Sequence, residues 1–379
     1  MHRILFVIEN LFPLGAALQL KLLADELVVK HYEVHVAVLG QKAFVPQDWI
    51  DSNIDVYFLN GDDKTPLHTM RDGFHVVREL RQVIQTIKPE IVHSWCGRAE
   101  LLTLLAVQQY PVIKRLRRFR LISSELYLQP EKRFSRQVLE NKMSRRVERM
   151  IVPHESVKQH LVENGYREPR ISIVPNAVVS TSPVNRIDAK RQLIAQLGLP
   201  EKARIAGTVA RLQHRTRLKD LIWATDLLTC VRDDFHFLII GTGSQLKQLK
   251  HFAALTESKA HVHFLGHPEE PEKIISGLDF YWNSHLREPL SGNLLNAMSY
   301  GIPAISVLGP GTDSIIRHQE TGFAVNFGAR DEFARWTKYL IEQTESGERL
   351  AQQGQDHVHS HFDKSKMIDG YTGIYELHD

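Results

Sequence analysis

Residues 284–303 of this 379-residue chain read SHLREPLSGNLLNAMSYGIP. Glu288 precedes a helix-forming run that begins at Gly292, and Gly301 ends that run. Residues 302–307 then predict a short buried strand. The free N–H groups and positive dipole at the start of such a helix can hold an anion, and the carboxylate can bind sugar or ribose hydroxyls. The stretch therefore predicts a pocket for a sugar that carries a diphosphate.

The same alternation of strand and helix extends in both directions from this stretch. In the first half, apolar runs predict strands at residues 4–8, 34–39, 56–59, 91–93, 120–123, 150–152 and 171–174. In the second half they predict strands at residues 205–210, 235–240, 261–265, 280–283, 304–307 and 324–325. Helical patterns fall between them, so repeated β-α-β units favour parallel, doubly wound sheets.

The periodicity is interrupted between residues 175 and 200, where residues 180–183 read Ser-Thr-Ser-Pro and resemble a linker. We therefore predict one Rossmann-like domain at residues 1–180, a second at residues 181–355 and a C-terminal helix at residues 356–379. The fold class is α/β, with two doubly wound domains facing each other across a cleft. Such a cleft is a common place for a ligand site.

The composition is that of a soluble globular protein, with 43% hydrophobic and 24% charged residues. The formal net charge of +3 is close to neutral for this length, so nucleic acid is not expected as a partner. Cys96 and Cys230 are far apart, which argues against a disulfide framework and favours a reducing cytoplasm. The first apolar run is too short for a signal peptide, and no run is long enough to span a membrane.

The stretch that begins at Glu288 resembles the donor-site motif of the retaining glycosyltransferases of family 4, which have the two-domain GT-B fold. In that family a glutamate is followed by seven residues and a second glutamate, then Ala-Met, a small residue and Gly-x-Pro. Here Glu288 fills the first position, and residues 297–298, Gly301 and Pro303 match the tail. Asn296 replaces the second glutamate.

Weaker motifs extend this resemblance over nearly the whole chain. They occur in the family's order at residues 175–178, 209–212, 241–243, 264–266 and 321–323. The helical pattern at residues 367–377 is similar to the family's last helix, so we expect the segment 356–379 to cross back to the first domain. The resemblance implies a GT-B glycosyltransferase with a nucleotide diphosphate sugar as donor.

A diphosphate leaving group needs positive charge around it. Arg211 matches the family's donor-site arginine. The family's lysine five residues later is Thr216 here, so Arg215 or Arg217 is predicted to replace it. The alternative for this basic run is a solvated loop.

Glu288 is predicted to be catalytic and to bind the transferred sugar or its nucleotide. The alternative is a surface carboxylate that caps a helix. Asn296 can bond hydroxyls but carries no charge, and neutral hydrogen bonds are the weaker kind. The other residues predicted to bind the donor in this half are Gly241, Ser291, Gly292, Asn293 and Leu294.

In the first half the family often places two glycines before the first helix, and this chain keeps only Gly15, which is predicted to bind the donor. The Leu14 side chain would limit how closely the backbone can approach the donor phosphates if it faced the cleft. His93 is a predicted catalytic residue, and Trp95 occupies the usual position of the family's histidine. A core histidine is the alternative for His93.

Cations outnumber acids between residues 114 and 149. This excess predicts either an exposed pair of helices or a patch that contacts an anionic membrane or a lipid-diphosphate acceptor. The cysteine usage predicts a cytoplasmic protein, and the second interpretation of the basic segment adds peripheral membrane contact.

The resemblance implies retaining transfer to a glycan or lipid-linked acceptor, as in polysaccharide biosynthesis. The nucleotide diphosphate sugar is the co-substrate, and no further cofactor and no metal are expected. The departures at Leu14, Trp95, Thr216 and Asn296 leave an alternative, a non-catalytic relative that acts as a binding or scaffold subunit. A nucleotide-sugar epimerase on the same fold is a third and weaker hypothesis.

Overall fold

The computed structural model describes residues 2–12, 15–40, 46–59, 70–108, 119–128, 145–178, 185–268 and 270–377. The chain divides into two compact units. Met1–Asn176 and Lys364–Asp379 form the first unit, and Ala177–Asp363 forms the second.

The first unit contains a parallel sheet with seven described strands in the order β3-β2-β1-β4-β5-β6-β7. These strands are β1 (Arg3–Ile8), β2 (Glu33–Val38), β3 (Asp55–Phe58), β4 (Ile91–Trp95), β5 (Arg120–Ser124), β6 (Arg149–Val152) and β7 (Ile171–Ile173). β1, β2 and β4 are buried almost throughout, as expected of central strands covered by helices on both faces.

Helices connect these strands in the first unit. The described ones are α1 (Ala16–Val29), α2 (Gln47–Ile50), α3 (Met70–Ile87), α4 (Gly97–Gln108) and α5 (Glu155–Glu163). Leu20, Leu23 and Leu27 of α1 are buried at helical spacing, which places one apolar face of this helix in the core.

The second unit contains a parallel sheet with six described strands in the order β10-β9-β8-β11-β12-β13. These strands are β8 (Arg204–Val209), β9 (Phe235–Ile240), β10 (Val262–Gly266), β11 (Phe280–Asn283), β12 (Ala304–Val307) and β13 (Phe323–Val325). Its described helices are α6 (Arg186–Leu197), α7 (Leu218–Thr229), α8 (Leu246–Ala254), α9 (Pro271–Ser276), α10 (Gly292–Ser299), α11 (Arg330–Glu342) and α12 (Thr344–His361).

The last described helix, α13 (Lys364–Glu376), belongs to the first unit. The Lys364 ammonium donates to the Glu26 carboxylate of α1 at 2.5 Å. Of the segment predicted as a single helix at residues 356–379, residues 356–361 instead continue α12 of the second unit. The chain therefore passes from the first unit to the second after residue 176 and returns to the first after residue 363. The boundaries predicted from the sequence were after residues 180 and 355.

The prediction of an α/β fold with two parallel, doubly wound sheets is confirmed. In each sheet the strand order reverses beside the first strand, between β1 and β4 in one unit and between β8 and β11 in the other. Ligands of open α/β sheets bind at the carboxyl ends of the strands at such a switch point. No helix among the described residues combines the length and apolar character needed to cross a bilayer.

Candidate functional site

Two predicted site residues follow the strands that flank the switch point of the second sheet. Arg211 comes just after β8, and Glu288 lies in the loop after β11. Side-chain hydrogen bonds join the end of β8 to α10 and to β11: the Asn293 amide donates to the Val209 carbonyl at 3.4 Å, and the Tyr281 hydroxyl accepts from the Val209 N–H at 3.4 Å. The fold thus brings the loops that carry the cation and the carboxylate to the same edge of the sheet.

Glu288 is a largely buried carboxyl group whose side chain is 13% exposed. Its carboxylate accepts a hydrogen bond from the N–H of Gly292, the first residue of α10. Burial raises the pKa of Glu288 from 4.5 to about 7, although that hydrogen bond and the Arg215 charge oppose the rise. Glu288 does cap a helix, as the alternative proposed, but it is not a surface residue.

His285 lies beside this carboxyl group, with 3.7 Å between its Nδ1 and Oε2 of Glu288. Its Nδ1 is buried and has no hydrogen-bond partner among the described residues. Burial lowers the pKa of His285 to about 4, and the charges of Arg215 and Arg287 lower it further, so the ring is neutral at pH 7. His285 is not among the residues predicted from the sequence, although its position three residues before Glu288 was a usable signal.

Residues 215–217, in the loop after β8, lie in three different environments. Thr216 is buried, and its hydroxyl donates to the Gln213 carbonyl at 2.6 Å within its own turn. Arg217 donates to the Asp220 carboxylate at 2.5 Å, and its guanidinium lies 4.5 Å from the centre of the Phe327 ring. Arg215 is exposed, and its charge acts on Glu288. Arg215 is therefore the better candidate to replace the family's lysine.

Asp220 joins Arg217 to a second arginine that the sequence analysis did not single out. Its other oxygen accepts from Arg330 of α11 at 2.9 Å. Asp220 is buried, whereas the side chains of Arg217 and Arg330 are 37% and 44% exposed, and the shared carboxylate holds the beginning of α7 against α11. Because one partner of Arg217 is this shared carboxylate, its guanidinium is less available to an outside anion than that of Arg215.

Gly241 allows the loop after β9 to approach the loop that carries Arg211. Its φ is +133°, and an added Cβ would lie 2.0 Å from the Ala210 carbonyl oxygen. The neighbouring Thr242 carbonyl accepts from the Leu212 N–H at 3.0 Å, which joins the two loops. This glycine is therefore required by packing, and its predicted contact with the donor stays a prediction.

Every described residue of α10 is buried, including those predicted to bind the donor. These are Gly292, Asn293, Leu294 and Asn296, and the preceding Ser291 is buried as well. The Ser291 side chain makes no capping hydrogen bond, and Glu288 takes the Gly292 N–H instead. Asn296 thus lies inside the helix packing, and its predicted contact with the nucleotide stays a prediction.

In the first unit, His93 is fully buried, with Nδ1 2.7 Å from the Tyr375 hydroxyl and Nε2 2.8 Å from Ser124 Oγ. Burial lowers the pKa of His93 to about 3. The indole of Trp95 donates to the Ala16 carbonyl at 2.9 Å and stacks on the Tyr371 ring. This geometry is that of the core histidine named as the alternative, and a catalytic role for His93 stays a prediction.

Gly15 precedes α1 with a φ of +40°, in the left-handed region that favours glycine. Its carbonyl accepts from the Gln19 N–H at 3.1 Å, so it takes part in the first turn of the helix. Leu14 lies outside the described residues. A donor contact at Gly15 stays a prediction.

Two family models match the chain, and together they cover nearly all of it. Residues 14–181 match Glycosyltransferase Family 4, and residues 189–357 match Glycosyl transferases group 1. The chain belongs to the family 4 glycosyltransferases. The resemblance identified from the motif at Glu288 is thereby confirmed.

Two glycosyltransferases are similar to this chain in sequence, and one solved structure is similar to it in fold. The lipopolysaccharide core biosynthesis glycosyltransferase LpsE of Rhizobium meliloti is 24% identical over 180 residues, 48% of this chain and 52% of LpsE. The match therefore spans about half the length of that relative. EpsD of Bacillus subtilis, a proposed glycosyltransferase, is 25% identical over 358 residues, 92% of this chain and 90% of EpsD.

The solved structure is that of HepE of Anabaena in complex with UDP-glucose. It superposes with a TM-score of 0.79 at 19% identity, and the match covers 100% of both chains. At this identity the likeness shows the fold alone. The predicted GT-B fold of this glycosyltransferase is confirmed.

Among the described residues of this glycosyltransferase, no group of three or more His, Cys, Asp or Glu side chains could hold a metal ion. The basic segment 114–149 falls mostly outside the described residues, which include only 119–128 and 145–149 of it. Membrane contact through that segment stays a prediction.

Proposed function

We propose that this glycosyltransferase moves a sugar, with retention, from a nucleotide diphosphate sugar to a glycan or lipid-linked acceptor. The observation that carries the proposal is the joint placement of Arg211 and the buried Glu288 at the switch point of the second sheet. A cation, a carboxyl group and a helix N-terminus at one sheet edge suit the phosphates and hydroxyls of such a donor.

The comparisons support the same substrate classes. HepE was solved with UDP-glucose, which is a nucleotide diphosphate sugar. LpsE acts in lipopolysaccharide core biosynthesis, and lipopolysaccharide is a lipid-linked glycan. A UDP-sugar donor and a lipid-linked glycan acceptor are therefore the first substrates to test.

In the proposed reaction the bond between the anomeric carbon and the phosphate oxygen breaks, and the acceptor oxygen bonds the same carbon. The acceptor proton passes to the departing diphosphate, which supplies the base. Arg211 and Arg215 stabilise the negative charge that develops on the leaving group. Glu288 accepts hydrogen bonds from donor hydroxyls, and its ionised form accepts them most strongly.

Calorimetric titration of the purified chain with UDP, UDP-glucose, UDP-galactose and GDP-mannose tests the donor site. We expect one nucleotide diphosphate to bind, and Arg211→Ala to weaken its binding by about tenfold or more. Arg204→Ala is the matched control, because Arg204 lies at the other end of the same strand. Equal binding by Arg211→Ala and the wild type would remove Arg211 from the site.

A transfer assay with the nucleotide sugar that binds tests the chemistry. Glu288→Gln should lower kcat, and the anomeric configuration of the product, read by NMR, should match that of the donor. Inversion at the anomeric carbon would overturn the retaining assignment. The absence of any donor binding by the wild type would favour the scaffold alternative, for which the buried Thr216 is the structural argument.

A further inference from the structure

A pocket of about 70 Å³ lies in the first unit, and none of the residues predicted to bind the donor or to be catalytic lines it. Its lining comes from the residues just before and at the beginning of β6 and β7. It is therefore at the amino-terminal edge of the sheet, whereas Trp95 and Ser124 mark the carboxyl-terminal edge. The function proposed above does not use this pocket.

Three arginines surround the pocket: Arg145, Arg167 and Arg170. Arg145 and Arg167 are exposed, and neither has an ion-pair partner among the described residues. Arg170 donates through Nη1 to the carbonyls of Arg145 and Val147, at 2.6 and 3.1 Å. These bonds fix the Arg170 guanidinium at the rim, and its other N–H groups have no partner among the described residues.

The carboxylates nearest to these arginines along the chain already have other partners. Glu148 pairs with Arg120 at 2.5 Å. Glu168 pairs with Lys158 at 3.0 Å. The positive charge around the pocket is therefore not neutralised by these two acids.

The rest of the lining is mainly apolar and buried. Val147, Met150 and Ile171 are all buried and line the pocket. Tyr166 also lines it, and its hydroxyl donates to the Glu100 carboxylate at 3.3 Å. A cationic rim over an apolar wall suits an anion that offers several acceptor oxygens to guanidinium groups, or such an anion attached to an apolar group.

We propose that this pocket binds a phosphate group. One guanidinium group can donate two parallel hydrogen bonds to two phosphate oxygens. Three guanidinium groups around one small cavity therefore offer more donors and more positive charge than a single surface cation does. The phosphate can belong to a soluble phosphate compound or to the headgroup of an anionic lipid.

The test compares the full-length wild type with the double variant Arg145→Gln/Arg167→Gln, which leaves the structural bonds of Arg170 intact. One arm is thermal unfolding and calorimetric titration with inorganic phosphate and pyrophosphate at constant ionic strength. The other arm is co-sedimentation with phosphatidylcholine vesicles that contain or lack phosphatidylglycerol. Lys202→Gln/Lys247→Gln is the matched control, because it removes two exposed charges from the second unit.

We expect the wild type to bind in at least one arm and the arginine variant to lose about tenfold or more of that affinity, with the lysine control unchanged. Binding in the first arm alone identifies a soluble phosphate ligand, and binding only to vesicles with phosphatidylglycerol identifies a lipid. No binding by the wild type in either arm, or equal losses in both double variants, would overturn the proposal. Binding of UDP is measured in parallel, so that failure of the donor site and failure of this pocket are distinguishable.

Discussion

The Tyr375 hydroxyl lies 2.7 Å from Nδ1 of His93, and this hydrogen bond joins the last helix of the chain to the centre of the first sheet. The other ring nitrogen of His93 bonds Ser124 of the neighbouring strand at 2.8 Å. Both nitrogens of a fully buried imidazole are therefore satisfied within the protein. A side chain held in this way positions α13 on the sheet.

The first prediction concerns this contact. Tyr375→Phe leaves a buried ring nitrogen of His93 without a partner, so we expect it to lower the free energy of unfolding by about 1–3 kcal/mol. Chemical denaturation at pH 7 measures the change. Tyr339→Phe is the control, because Tyr339 is partly exposed and its loss of a hydroxyl should have little effect. An unchanged denaturation midpoint in Tyr375→Phe would contradict the structural role of His93.

The second prediction concerns the stability cost of Glu288. Its pKa is about 7 in the folded chain and near 4.5 when unfolded, so the folded state holds the proton more tightly. The contribution of the Glu288 proton to the free energy of unfolding is therefore fully present below pH 4.5, and it is lost as the pH rises through 7. We expect Glu288→Gln to raise the free energy of unfolding at pH 8 by up to about 3 kcal/mol.

The same gain should nearly vanish near pH 4.5, where the wild-type carboxyl group is protonated in the folded state and half protonated in the unfolded state. Thermal unfolding of the two proteins from pH 4.5 to 8 measures the difference. A gain that does not depend on pH would show that the pKa of Glu288 is not raised.

The third prediction concerns the pH dependence of sugar transfer. Arg215 lowers the pKa of Glu288, so Arg215→Gln should raise it and move the acidic limb of kcat/KM to higher pH. Salt should reduce this shift, because the Arg215 charge is exposed and screened.

Arg287→Gln is the matched control for that experiment. The Arg287 charge acts on the pKa of His285, and Glu288 responds to Arg215 instead. We expect the acidic limb to keep its position in Arg287→Gln. Equal shifts in the two variants would mean that the limb reports general surface charge and not Glu288.

The fourth prediction concerns the loop after β9. Gly241→Ala places a Cβ 2.0 Å from the Ala210 carbonyl oxygen at a φ of +133°, so we expect a loss of at least about 2 kcal/mol in the free energy of unfolding. Gly73→Ala is the control, because no atom lies within 4 Å of its added Cβ and it is inside a helix, where alanine is favoured. Stability that is unchanged in Gly241→Ala would contradict the close approach of the two loops.

Much of the fold was predictable because it depends on local periodicity. β9, β11 and β12 begin and end at the predicted residues, since apolar runs bounded by polar residues define buried strands. β4 extends two residues beyond its predicted end, to Trp95, because Ser94 and Trp95 continue the backbone pairing with β1 and β5. The Trp95 indole is buried and stacks on Tyr371 of α13. No local pattern encodes that contact, since the two residues are far apart in the chain.

The sequence by itself determined the alternation of strands and helices, the family, and the loop that contains Glu288, because these depend on residues close together in the chain. Only the tertiary structure decided which cations face that carboxyl group. It separated the exposed Arg215 from Arg217, which bonds Asp220. It also placed Nδ1 of His285, which has no hydrogen-bond partner among the described residues, 3.7 Å from Glu288. Burial, pKa and pairing depend on which side chains meet in space, so the chemistry of the site follows from packing.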